Sequence, residues 1–174
     1  WPVKALGNLG QVQFAAADAT DATALTRALT GCDGVVHLVA VLKGDFDRLV
    51  RQTAANAAAA ATANGITEFV LVSAIGADPD GAAHYARAKA GAEAAVRAAL
   101  PGATILRPSI IFGRDDQFIN RFARMIAAMP IVPVAAASAQ LQPVFVGDVA
   151  DAIVAGFDGR ATGADRLFEL GGPQ

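Results

Sequence analysis

What most constrains the fold of this chain is the regular alternation of two kinds of segment. Short runs rich in β-branched and aliphatic residues, at 12–16, 34–41, 68–72, 103–106, 143–146 and 167–170, are separated by helix-prone stretches of up to two dozen residues. Parallel strands cannot be joined by a tight turn, and an intervening helix supplies the crossover they need. The run Gly34-Val-Val-His-Leu-Val-Ala-Val41 is apolar almost throughout, as expected of a strand covered on both faces. The pattern predicts an α/β fold: a Rossmann-like, doubly wound parallel sheet with helices on both sides.

The helical stretches carry their own punctuation. Asp21 or Thr20 can cap a helix bearing Leu25 and Leu29, which Gly31 closes. Residues 45–64 form an alanine-dominated helix stopped by Gly65, with Phe46, Leu49 and Val50 at helical spacing. Residues 84–100 form another, ended by Pro101-Gly102, and 117–129 and 148–157 complete the set. Alanine supplies 42 of the apolar residues, so the 54% apolar share implies helices lying close on a sheet rather than bulky packing. With 11 Arg, 3 Lys and this much Ala, the composition is that of a GC-rich bacterial gene.

Charge and length exclude several classes of function. A net charge of −2 offers no basic face for nucleic acid or for a polybasic membrane anchor. Residues 125–147 carry no charge, yet Pro130, Pro133 and Pro143 with Gln140 and Gln142 are incompatible with a transmembrane helix; a helix end, a loop and a strand are expected there. No secretory signal opens the chain, and a first residue of Trp1 suggests a sequence that begins inside a longer protein.

Ligands of doubly wound sheets sit beyond the carboxyl ends of the strands, which directs attention to Asp18, 40–43, 73–76 and 108–113. Just downstream of the third group comes Tyr85-Ala-Arg-Ala-Lys89, with the only tyrosine and a lysine four apart on one helical face. An ammonium near a phenol favours the phenolate, which predicts a lowered Tyr85 pKa and a usable proton donor or acceptor. The same lysine can hydrogen-bond ribose hydroxyls. Spacing alone is a weak signal, and an exposed lysine beside a half-buried tyrosine reads equally well. His37 is expected to be a buried, hydrogen-bonded core residue, His84 surface, Cys32 semi-buried, and Asp115-Asp116 loop or helix cap rather than a metal pair.

The motifs Asp18-Ala-Thr-Asp21, His37-Leu-Val-Ala40, Val70-Leu-Val-Ser-Ala74, Tyr85-x-x-x-Lys89, Leu106-Arg-Pro-Ser-Ile-Ile-Phe-Gly113 and Pro143-Val-Phe-Val-Gly-Asp-Val-Ala150 occur in the order seen in the extended and atypical short-chain dehydrogenase/reductase superfamily, which includes the NAD-dependent epimerases and dehydratases. More narrowly, Val72-Ser-Ala-Ile-Gly-Ala-Asp78, Phe112-Gly-x-x-Asp-Gln-Phe-x-Asn-Arg-Phe-Ala123 and Gln142-Pro143 resemble the NAD(P)H-binding accessory subunit of respiratory complex I.

That resemblance implies NADP or NAD as cofactor. Asp18 and Ala19 would form the turn that meets adenine, Ala40 and Ser73 would lie along the cofactor, and Pro108 through Ile110 would lie beside the nicotinamide. Tyr85 and Lys89 would be the proton donor and its partner, and Asp148 a helix cap. Respiratory complex I subunits or a quinone-like molecule are the implied partners, and the implied location is cytoplasmic, peripheral at the inner face of the respiratory membrane.

The departures matter as much. The Gly-x-x-Gly-x-x-Gly phosphate turn is absent, so the resemblance starts at the family's third strand and makes 1–174 a partial domain lacking its first β-α-β unit. In the family's strand order 3-2-1-4-5-6-7, this leaves the strand at Val35 to Val39 with an unpaired apolar edge and lets the chain alone grip a dinucleotide only poorly. The Ser or Thr that polarises a substrate carbonyl is replaced by Ala74 and Ile75, and Val50 stands where a family Asn or His would be. Two readings follow: a nucleotide held as structural or redox-sensing ligand with little or no catalysis, or an epimerase/dehydratase-like or quinone/carbonyl-reducing enzyme using Tyr85 and Lys89.

Overall fold

A computed structural model describes residues 7–8, 11–41, 43–116, 118–128, 141–160, 162 and 165–173. The elements run α1 (Ala22–Ala28), β1 (Gly34–His37), a π-helical segment (Asp47–Gln52) continuing into α2 (Thr53–Ala63), β2 (Glu68–Val72), α3 (His84–Ala99), β3 (Thr104–Pro108), β4 (Ile111–Phe112), α4 (Ile119–Ala128), β5 (Val144–Phe145), α5 (Val146–Phe157) and β6 (Leu167–Leu170). Strands β1-β2-β3-β6 form one wholly parallel sheet in that order, and β4 pairs with β5 separately. The α/β class therefore stands as the sequence predicts, and β1-β2-β3 lie in the order the resemblance implies; the strand beyond β3 is β6, while the expected strand at 143–146 shortens to β5 and pairs apart from the main sheet.

The helices cover the sheet on both sides. Helices α2 and α3 bury Ala54, Ala58, Ala61, Ala92 and Val96 against Val35, Phe69, Leu71 and Ile105, so the alanines do bring backbone close to the strands. On the opposite face α5 lies over β2 and β3, where a side chain on Gly156 would come within 3.0 Å of Val70. Arg166 fastens this layer by donating to Thr104 Oγ1 and to the Gly156 carbonyl.

Local signals hold at most helix ends. Asp21 accepts from the N–H groups of Thr23 and Ala24, while Gly31 and Gly65 take left-handed φ values of +80° and +71°. Asp116 accepts from the Ile119 and Asn120 N–H groups and so caps α4. Asp148 does not cap: α5 begins at Val146, and the carboxylate lies within the first turn without a side-chain cap bond. The loop expected between α4 and β5 falls largely on residues 129–140, outside the described residues; among the described residues no helix is long and apolar enough to cross a membrane.

One predicted strand does not form. Residues 12–16 are not in a strand; among the described residues β1 is the edge of the main sheet and pairs with β2. That edge exposes Val36, Leu38 and Val39.

Candidate functional site: a cleft at the carboxyl end of the sheet

The strands place their carboxyl ends side by side, and the turns that follow them enclose a cavity of about 670 Å³. Its walls include Leu38 and Ala40 after β1, Val72 at the end of β2 with Ser73 and Ile75 beyond it, Tyr85 and Lys89 on α3, Pro108 at the end of β3 with Ile110 beyond it, and Phe118 before α4. Six of the eight residues singled out from the sequence meet here: Ala40, Ser73, Tyr85, Lys89, Pro108 and Ile110. Asp18 and Ala19 lie elsewhere, in a turn where Asp18 accepts from both N–H and hydroxyl of Thr20 while the Ala19 carbonyl accepts from Asn56. Those Thr20 hydrogen bonds hold the Asp18 carboxyl below its ordinary pKa.

Two backbone bonds set the shape of the cleft. The Ser73 N–H donates to the Leu106 carbonyl and the Ile75 N–H to the Pro108 carbonyl, so the turns after β2 and β3 stay level with one another. Helix α3 then presents Tyr85, Lys89 and Glu93, at four-residue spacing, to the same side. Lys89 is almost wholly buried, contrary to an exposed-lysine reading, and its ammonium donates to the Val72 carbonyl.

Tyr85 and Lys89 differ from expectation in electrostatics. The Lys89 nitrogen lies 5.8 Å from the centroid of the Tyr85 ring, over the π face rather than bonded to the phenol oxygen. Burial dominates, so the phenol pKa is raised rather than lowered, and desolvation lowers that of Lys89 against an opposing pull from Glu93. Phe46, at the start of the π-helical segment, meets the Tyr85 ring edge-on and holds it in place. Such π-helical segments are rare and are frequently found at functional sites.

Sequence reasoning missed Glu93 and Arg107. The Glu93 carboxylate is buried, receives two N–H groups from Arg107 at 2.7 and 2.9 Å, and accepts the Ser73 hydroxyl as well. The available signal was an acidic residue one turn beyond Lys89 on an otherwise alanine-rich face. Cys32 is exposed instead of semi-buried. No group of three or more His, Cys, Asp or Glu among the described residues is placed to hold a metal.

His37 is buried as expected, but its Nε2 has no hydrogen-bond partner among the described residues. Desolvation, aided by Lys89, lowers its pKa from 6.5 to about 4. The native state thus binds fewer protons than the unfolded chain between these values; stability from this residue is complete above pH 6.5 and is lost as pH falls towards 4. The contribution is at most about 3 kcal/mol. In thermal melts, the drop in Tm on acidification from about pH 7.5 to about pH 4.5 is expected to shrink in His37→Leu; an unchanged drop would mean His37 is not the group titrating.

The cavity suits a small organic ligand. Its volume lies in the usual small-molecule range, its walls are mostly apolar, and a few polar groups converge on it. Comparison with known proteins agrees. A family model described as NAD(P)H-binding matches residues 3–130. The chain is 32% identical over 177 residues to NADH dehydrogenase [ubiquinone] 1 alpha subcomplex subunit 9, mitochondrial, of Arabidopsis thaliana, covering 98% of this chain and 44% of that protein. It is also 32% identical to the ceramide reductase of Caulobacter vibrioides, covering 83% and 47%. The chain thus spans about half the length of these curated relatives.

Among solved structures, UDP-glucuronic acid 4-epimerase from Bacillus cereus, in complex with UDP-glucuronic acid and NAD, superposes with a TM-score of 0.75 at 18% identity, covering 99% of this chain and 64% of that one. Fold, cleft and family match agree: the chain belongs to the NAD(P)H-binding family.

Proposed function

We propose that the full-length protein holds NADPH or NADH as a structural or redox-sensing ligand and turns it over slowly or not at all. The observation that carries this reading is the convergence of Ala40, Ser73, Tyr85, Lys89, Pro108 and Ile110 on one cleft in which Ala74 and Ile75 stand where the family resemblance implies a carbonyl-polarising Ser or Thr. Ala74 and Ile75 have no hydroxyl to offer, and Ser73 spends its proton on Glu93. A missing donor of this kind costs roughly 3 kcal/mol of transition-state stabilisation, or about a hundredfold in rate. Lys89 retains N–H groups for ribose hydroxyls, while Val72 and Ile110 flank the ring site; when bound, the dinucleotide supplies a hydride or an acceptor for one.

Residues 1–174 would then be a partial dinucleotide-binding domain. Likeness to the complex I subunit supports an association with respiratory-complex subunits, peripheral to the membrane. The competing reading is a carbonyl reductase or epimerase in which Tyr85 moves the proton; it is favoured by the retention of Tyr85 and Lys89 in the cleft and by likeness to a ceramide reductase. Its raised pKa makes Tyr85 a donor rather than a base at neutral pH. The test is turnover of the full-length protein with carbonyl and quinone substrates. Our reading expects less than about 1 per second, with Tyr85→Phe no slower; faster turnover abolished in Tyr85→Phe would establish the enzyme instead.

A further inference from the structure

Four polar side chains line the cleft, Ser73, Tyr85, Lys89 and Ser109. Lys89 can only donate. Ser73 has a single proton, and that proton goes to the Glu93 carboxylate at 2.5 Å. Arg107, with two N–H groups on Glu93 and a third contact to Glu169, secures the carboxylate in the orientation that receives Ser73. Ser73 is itself 5% exposed, and it lines the cavity between Val72 and Ala74.

We infer that Glu93 fixes Ser73 as a hydrogen-bond acceptor toward the cleft, so the ligand group over Ser73 is an N–H donor and not a carbonyl. Resting on the dinucleotide reading above, this assigns Ser73 to the carboxamide N–H2 of the nicotinamide. The ring's apolar faces find Val72, Pro108 and Ile110, and the carboxamide is the ring's only hydrogen-bond donor. Glu93 is a positioning residue here, acting only through Ser73. The arrangement also gives a physical reason for weak carbonyl chemistry at this position: an acceptor-only hydroxyl repels the oxygen it would have to polarise.

The experiment is a calorimetric titration of the full-length protein with NAD+, with 3-acetylpyridine adenine dinucleotide, whose carboxamide N–H2 is a methyl group, and with ADP-ribose, which lacks the ring. NAD+ is expected to bind about tenfold tighter than the acetyl analogue. Ser73→Ala is expected to bind both dinucleotides alike while its ADP-ribose affinity stays unchanged.

To test Glu93 without leaving a buried charge unpaired, Glu93→Leu is combined with Arg107→Met, since replacing a buried pair with apolar residues is commonly tolerated. That double variant frees the Ser73 proton and is expected to bring the ratio to one or below. Equal binding of the two dinucleotides by the unaltered protein, or a ratio preserved in Ser73→Ala or in the double variant, would overturn the proposal. Absence of all dinucleotide binding would instead bring down the reading on which it rests.

Discussion

Glu93→Ala is expected to destabilise the protein by about 3–5 kcal/mol, the range found when one partner of a buried ion pair is removed. The cost arises at three neighbours together. Arg107, with its side chain only 20% exposed, loses its principal counter-charge and keeps only a 3.5 Å contact to the exposed Glu169. The Ser73 hydroxyl loses its acceptor, and Lys89 loses the nearby negative charge that offsets its desolvation. For a chain of this length, such a loss lowers Tm by roughly 6–20 °C. Glu93 also connects α3 to β3, so the variant loosens the floor of the cleft as well as its polarity. A drop in Tm below about 3 °C would show that the Glu93–Arg107 pair contributes little to the fold.

Lys89→Met is expected to have the opposite balance. A buried ammonium whose pKa is lowered by desolvation is a burden on the folded state at neutral pH, and a thioether of similar length removes it. Stability should therefore hold or rise, while affinity for NADPH or NADH falls by about 10–100-fold through the loss of charged hydrogen bonds worth roughly 1.5–3 kcal/mol. This separation of effects is the signature of a residue kept for binding. Loss of stability without loss of affinity would assign Lys89 to the packing between α3 and β2.

Much of this was legible in the sequence because it depends on local chemistry. The β2 and β6 bounds and the start of α3 at His84 coincide with prediction, since apolar runs and helix stops mark them unambiguously. The convergence of Ala40, Ser73, Pro108 and Ile110 follows from one rule, that strand ends share a rim, and the four-residue spacing on α3 brings Tyr85 and Lys89 to it. What was not legible depends on partners distant in sequence. Residues 12–16 have strand-like composition yet pair with no strand among the described residues, and β4 exists only because residues 111 and 112 find Val144 and Phe145. The Glu93–Arg107 bond joins a helix to a strand, and no spacing rule reports it. The direction of the Tyr85 pKa is not legible in the sequence, because spacing shows the proximity of Lys89 but not the burial that outweighs it. Asp148 lies two residues inside the helix it was expected to cap, within the usual uncertainty of a helix boundary.

On the proposed function, the cleft beyond β1, β2 and β3 holds the nicotinamide end of a dinucleotide. The most direct test is a calorimetric titration of the full-length protein with NADPH and with NADH. Saturable one-to-one binding of at least one of them, weakened in Lys89→Met, is the result this account predicts. No binding of either up to about 1 mM, or binding of equal strength in Lys89→Met, would contradict it.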